Sequence, residues 1–415
     1  MDTILGKLAT GETLSPAIED RRRHIYIIGK TGTGKSTLLY NLMTADLRAG
    51  RGFALLDPHG DLAPAVANSA PKGRNDIVYI DPADLDHSVG FNPLQQVSAD
   101  RRHLVATQIV SSFKAVWGES WGPRMQYILT QSLRLLLDTP GSTLLGLPRL
   151  LHNSRYRKRL LENCQDEFVR SYWRDEFDNY TERFRQEAIS PIENKIGALL
   201  SSPAIRHVLG QKHSTINISH LMDTGRVMIL NLAKGRLGEE AAHLLGALFA
   251  TAFAQAAERR TEIAEEDRRD FSLFVDEFQS FATDSFGTVL SESRKWRLSL
   301  VLGHQFLSQT PESLQDAVLG NVGTIIAFRT GAKDARVIGP ELGLGNDQAL
   351  TDLSNYHAWI KLTAQGVPSE PKELRTLPPT EPEIPRLAAV QSRTRARHTR
   401  SRGTIEEAIS AFLRS

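Results

Sequence analysis

The sequence predicts an α/β protein: a core built on a mostly parallel sheet, with an all-helical domain inserted into it. Three observations carry this. Short apolar runs alternate with helical stretches over residues 25–98. The alternation stops near Ala99 and resumes after Gly210. The first apolar run leads directly into a glycine-rich turn and a helix. Apolar runs separated by helices suit strands buried on both faces, which is the condition of a parallel sheet.

Taken in order, Ile25–Gly29 reads as a buried strand, Lys35–Ala49 as a helix, and "GFALLDP" (Gly52–Pro58) and "DIVYIDP" (Asp76–Pro82) as two further strands. Over residues 99–210, Met125, Ile128, Leu129, Leu133, Leu136 and Leu137 keep helical spacing, and no strand is predicted. Past Gly210 come strands at Arg226–Leu232, Phe271–Phe278, Leu298–Gly303 and Gly323–Phe328, with one more at Ala358–Leu362. The expected division is therefore 1–98 and 211–365 for the two parts of the core, 99–210 for the helical insertion, and 366–415 for a C-terminal extension. Prolines at 368, 371, 378, 379, 382 and 385 predict an extended strap there. The arginine-rich run Arg393–Arg402 reads as flexible, and a last helix is predicted with Thr404 as its cap, followed three residues on by Glu407.

Composition narrows the chemistry. The chain has 415 residues and a net charge of +2, so any argument for a nucleic-acid partner must rest on local charge. A single cysteine, Cys164, rules out an internal disulfide framework and a cysteine-rich zinc site, and suits a reducing cytoplasm. "LLGALFATAFAQAA" (Leu244–Ala257) is the most apolar helix candidate and is too short to span a bilayer. The N-terminus lacks the basic and apolar pattern of a signal peptide.

The turn Gly29-Lys30-Thr31-Gly32-Thr33-Gly34-Lys35-Ser36, continued by Thr37, matches GxxxxGK[ST] completely. Glycines let such a loop curl until its backbone N–H groups face inward on phosphates, and the following helix adds its positive end. Lys35 is placed to meet the β- and γ-phosphates, and Ser36 to supply a hydroxyl to Mg²⁺. The run "FSLFVDEF" ends in Asp276-Glu277. On a strand next to the loop, Asp276 would hold the Mg²⁺ shell and Glu277 would polarise a water.

Further landmarks follow in order: "LLDPHGDL" (Leu55–Leu62), "FNPL" (Phe91–Leu94), "SESRKWRLSLVLGHQ" (Ser291–Gln305), "GNVGTIIAFRTGAKDA" (Gly320–Ala335) and "RTLPP" (Arg375–Pro379). Together they resemble the HerA/FtsK superfamily, and within it the conjugative coupling ATPases of type IV secretion, over about residues 24–365. The resemblance implies a RecA-like motor that hydrolyses ATP with Mg²⁺, works as a homohexamer and passes DNA through its centre. It implies an arginine finger at Arg294, with Lys295 and Arg297 as competitors, and a polar sensor at Gln305. Asp57 and Asp61 are either catalytic or simply turn caps. Membrane-bound coupling proteins carry transmembrane helices ahead of the motor. Only some 24 residues precede the first predicted strand here, so either a cytoplasmic soluble form or a separate membrane-anchoring or effector partner is expected. Candidate DNA contacts are the basic stretch Ser154–Leu161 and the arginine run Arg393–Arg402, the latter alternatively a docking strap. The competing functions are a DNA translocase, a ring that recruits a protein substrate or effector, and a monomeric nucleotide switch.

Overall fold

The computed structural model describes residues 3–283 and 285–414. The chain divides into two compact units. A sheet unit comprises residues 3–80, 218–233 and 253–394, and a helical unit comprises 81–217, 234–252 and 395–414.

Fourteen strands are described: β1 (Gly6–Leu8), β2 (Thr13–Leu14), β3 (Ile25–Ile28), β4 (Gly52–Asp57), β5 (Ile77–Ile80), β6 (His87–Ser88), β7 (Val227–Asn231), β8 (Phe271–Val275), β9 (Leu298–His304), β10 (Thr324–Ala327), β11 (His357–Ala364), β12 (Val367–Pro368), β13 (Lys372–Arg375) and β14 (Arg400–Ser401). Twelve of them form one sheet in the order β2-β1-β13-β11-β10-β3-β9-β8-β4-β7-β5, with β12 paired to β11. From β10 to β5 every neighbouring pair is parallel. From β10 to β2 every pair is antiparallel. The parallel strands are buried along their whole length, as their unbroken apolar runs require.

Each predicted strand is present. One neighbour relation differs from expectation. The strand ending in Asp276-Glu277 (β8) is not beside the loop strand β3, because β9 lies between them. β9 pairs with both, through Ile25↔Val301 on one side and Phe271↔Leu298 on the other. A core of Ile25, Ile27, Leu38, Leu42, Leu55 and Val301, all at most 1% exposed, packs the helix Lys35–Arg48 onto the sheet. At about 25 cal/mol per Å² of apolar area buried, each such side chain contributes roughly 1.5–3 kcal/mol.

The proline-rich stretch is only partly the extended strap expected. β12 and β13 lie within its start, and β13 is locked between β11 and β1. The remainder is held down by side chains of the helix Lys35–Arg48. Asn41 Nδ2 donates to Leu377 O at 2.8 Å, and the Tyr40 hydroxyl to Thr380 O at 2.8 Å.

In the helical unit, residues 99–210 carry helices and no strand among the described residues. Pro123 starts the helix Pro123–Leu137, whose Ile128, Leu129, Leu133 and Leu136 are fully buried. The C-terminal residues join this unit through Ile405 and Ile409, which pack with Leu145. The arginine run is not flexible as expected: it lies in the helix Leu387–His398 and in β14, which pairs with β6. Its Arg395 binds Asp84 at 2.8 Å. The last helix begins at Arg402, two residues before the predicted cap, and Ser401 Oγ takes the Thr404 N–H. No helix among the described residues is long and apolar enough to cross a membrane.

Candidate functional site

Parallel strands end on the same edge of a sheet, and ligands bind where those ends open. Four adjacent strands do so here. The loop follows β3, His304-Gln305 ends β9, Asp276-Glu277 follows β8, and the Asp57–Asp61 turn follows β4. Around their tips lies a cavity of about 400 Å³, lined by Lys35, Ser36, His59, Asp276, Gln305 and Tyr356 among others.

The loop curls as its glycines permit. Gly34 has φ +124°, and an added Cβ would meet Phe328 at 2.9 Å and Tyr356 at 3.1 Å. Both strain and contact therefore demand glycine there. The helix then runs from Lys35, and its first residues Lys35, Ser36 and Thr37 line the cavity. Lys35 is buried, and its Nζ donates to Gly29 O at 2.5 Å and Lys30 O at 3.0 Å. Burial lowers its pKa, against the opposing pull of Asp276 and Glu277. Thr33 is turned away from the cavity: its hydroxyl donates to Lys30 O at 2.7 Å. Thr31, Ser36 and Thr37 line the cavity. These residues fit a nucleoside triphosphate with Mg²⁺: a glycine-rich loop at a helix start with Lys35 for phosphates, and the Ser36 hydroxyl with a cavity carboxylate for the metal.

Asp276 is the buried carboxylate of the cavity. It is 5% exposed, and burial, reinforced by Asp57, pushes its pKa up to about 6. Glu277 stands in the left-handed region at φ +49°, a conformation costing on the order of 1 kcal/mol for a residue with a Cβ. Its Oε1 accepts from Gln305 Nε2 at 2.7 Å and lies 2.7 Å from His59 Nε2. Gln305 in turn accepts from the Thr31 hydroxyl at 3.3 Å. A hydrogen-bonded path thus runs from the loop through Gln305 to Glu277.

The two aspartates before the second helix part company. Asp57 is fully buried and spent on the turn: Oδ1 accepts from the N–H groups of His59 (3.1 Å) and Gly60 (2.9 Å), Oδ2 from Ala63 (2.8 Å). It is the turn cap of the two alternatives. Asp61 is exposed and lines the cavity. His59 and Tyr356 escaped sequence reasoning. "DPHGDL" drew attention to its acids, and nothing local marks Tyr356.

Of the three finger candidates, Lys295 pairs with Glu292 at 2.6 Å and Arg297 donates to Arg268 O at 2.8 Å. Arg294 is exposed, with no side-chain partner among the described residues, and does not line the cavity of its own chain. The basic stretch Ser154–Leu161 is less available than its sequence suggests. Arg157 is buried on Asp178 at 2.6 Å and over the Phe177 ring, leaving Arg155, Lys158 and Arg159 at the surface.

Comparison with known proteins follows the same lines. The family model "Helicase HerA, central domain" matches residues 17–251, more than half of the chain. The type 4 coupling protein DotL of Legionella pneumophila is 30% identical over 143 residues, which is 31% of this chain and 18% of DotL. The chain thus spans about a fifth of that relative's length. Among solved structures, the bacterial conjugative coupling protein TrwBdeltaN70 superposes with a TM-score of 0.62 at 16% identity, covering 93% of this chain and 91% of that one. VirB4 of Thermoanaerobacter pseudethanolicus superposes with 0.61 at 16% identity, covering 91% and 96%. These likenesses establish the fold, a RecA-like P-loop core.

Proposed function

The chain belongs to the family of the HerA helicase central domain, and on that premise we propose that it is an Mg²⁺-dependent ATPase, working as a homohexameric ring that moves DNA. The observation that supports this best is the convergence of four strand tips on one cavity, which sets Lys35, Ser36, Asp276 and Gln305 around a single space, with Glu277 hydrogen-bonded to Gln305.

Lys35 and the loop N–H groups bind the phosphates, with Gly29, Lys30, Thr31, Gly32, Thr33, Gly34 and Thr37 completing the loop. Ser36 and Asp276 hold Mg²⁺, which supplies positive charge against the phosphate oxygens. Glu277 orients the attacking water and accepts its proton. Gln305 and His59 hold the Glu277 carboxylate in place, and Gln305 carries the state of the loop to it. Arg294, outside its own cavity, completes a neighbour's: its guanidinium would neutralise charge developing on the γ-phosphate, so turnover requires an assembled ring. DNA contact is assigned to the surface cations of the helical unit, Arg155, Lys158 and Arg159.

The test is steady-state ATPase at moderate salt, with and without single- and double-stranded DNA, alongside the mass in solution. A several-fold rise with DNA and a mass near six chains is expected. DNA-indifferent turnover by a monomer overturns the motor. A second reading is favoured by the likeness to a type 4 coupling protein: an ATPase ring that answers to a partner protein. A purified partner would then stimulate turnover while DNA would not.

A further inference from the structure

The turn that carries Arg294 leads into the start of β9, and the cavity lies at the other end of that strand. Leu298–His304 separates the two by about 20 Å, at roughly 3.3 Å per residue. Within the turn Trp296 is buried, while Arg294 and Lys295 are exposed. The turn closes on itself. Trp296 N donates to Ser293 O at 3.0 Å, Arg297 N to Arg294 O at 3.1 Å, and Leu298 N to Ser293 O at 3.1 Å. Arg297 has φ +54°, a conformation that a residue with a Cβ keeps only where its surroundings hold it.

Side chains from elsewhere in the sheet unit hold the carbonyl groups of this turn. Arg260 is 1% exposed, and its Nη1 donates to Trp296 O at 3.1 Å and to Arg269 O at 2.9 Å. One buried nitrogen thus ties the turn to the chain entering β8. Arg260 Nε donates to Asp223 at 2.9 Å. Arg268 Nη1 donates to Lys295 O, and Arg297 Nη1 donates back to Arg268 O at 2.8 Å. His24 faces Leu290 O at 3.0 Å and the Ser293 hydroxyl at 3.4 Å. Taking a guanidinium out of water is costly, and only well-placed partners offset it. The partners of Arg260 are two main-chain carbonyls and one carboxylate, so its charge is used to fix backbone. The Arg294 side chain, two residues from Trp296, has no partner among the described residues.

We propose that Arg260, backed by Arg268, is the positioning residue for Arg294: it fixes the main chain of the turn so that the Arg294 guanidinium is presented to a neighbouring subunit in one place. The inference rests on reading Arg294 as a finger that acts in trans. Such a finger works at the end of a long, flexible side chain, so what the fold can fix is its backbone. A misplacement of about 1 Å at a reacting group costs on the order of a hundredfold in rate. Arg260 holds the turn from inside through the Trp296 carbonyl, and Arg268 holds it through the Lys295 carbonyl. Neither lines the cavity of its own chain. Their loss therefore harms what a subunit gives to its neighbour and spares what it does with its own nucleotide.

Mixed-subunit ATPase assays on the full chain test this, because they separate the two roles of a subunit. Arg260→Met alone should lower kcat by about 10–100-fold with ATP affinity within about twofold of wild type. Mixed with Lys35→Ala it should recover activity, since the variant supplies an intact loop and Lys35→Ala an intact finger. Mixed with Arg294→Ala it should stay at its own low level, since neither subunit then offers a placed arginine. Arg268→Ala removes no buried charge. It should show the same asymmetry with a fall of roughly threefold or more, and it carries the test if Arg260→Met does not fold. Wild-type turnover by the folded variants overturns the proposal. So does recovery with Arg294→Ala, and so does failure with Lys35→Ala while the pair Arg294→Ala and Lys35→Ala recovers, since that pattern marks general damage. If that last pair fails to recover despite proven subunit exchange, the finger reading itself falls and the positioning role falls with it.

Discussion

At the residue scale the site is an exercise in holding one carboxylate. Glu277 sits in a strained backbone conformation, and the same oxygen meets both His59 and Gln305. Replacing Glu277 with Gln should leave nucleotide affinity within about twofold and lower kcat by about 10²–10⁴-fold. Rapid turnover by the purified variant would remove the base assignment. The His59 imidazole lies 2.7 Å from the Glu277 carboxylate, so His59→Ala should lower kcat by about tenfold while KM holds, through misplacement of Glu277. An equal rise in KM would instead make it a nucleotide contact. Lys35, Ser36, Asp276 and Glu277 were legible in the sequence because each belongs to a short pattern whose geometry is local. His59 and Tyr356 were not, because what they touch lies far along the chain and the bland turn and loop around them carry no pattern.

At the scale of elements, β9 is the informative strand. Its neighbours are β3 and β8, so its tip is the one place from which Gln305 reaches both Thr31 and Glu277. The sequence shows three apolar runs in order but not which two are adjacent, since pairing is decided by crossover connections. The arginine run was misread for a related reason: the acid that meets Arg395 lies 311 positions earlier. The strands also meet at a buried histidine. His24 lies under β9, taking the Leu300 N–H on Nδ1 and facing Leu290 O through Nε2, both at 3.0 Å, and burial lowers its pKa to about 4. The neutral ring is therefore the one the fold accepts. An unfolded chain takes up this proton near the ordinary value of 6.5, so native stability from His24 is intact above that pH and is lost as pH falls toward 4. Burial displaces Asp57 and Asp276 upward, which works in the opposite sense, so the histidine must be isolated by difference. Urea unfolding of wild type and His24→Asn should show their stability gap shrinking by about 2–3 kcal/mol between pH 7 and pH 4.5. Parallel pH profiles would show that the ring is not held neutral.

At the scale of the whole molecule, the question is whether one chain suffices. Arg294 is exposed and does not line its own cavity, while its two competitors are engaged within the chain. Arg294→Ala and Lys35→Ala should each be inactive alone. Mixed, they should recover part of the activity, since some interfaces then pair an intact loop with an intact arginine. No recovery despite proven subunit exchange would count against a finger in trans. The division of the chain into its two units has a different consequence. The sheet unit is assembled from three separate segments, and so is the helical unit, whose Leu145 waits for Ile405 and Ile409. On a translating ribosome neither unit can close when its first segment emerges. About two hundred and sixty positions separate Leu145 from the side chains that cover it. A nascent chain must therefore hold open apolar surface for most of its synthesis, a period on the order of ten seconds to a minute at about 5–20 residues per second. Such a protein is a natural client for chaperones that bind during translation.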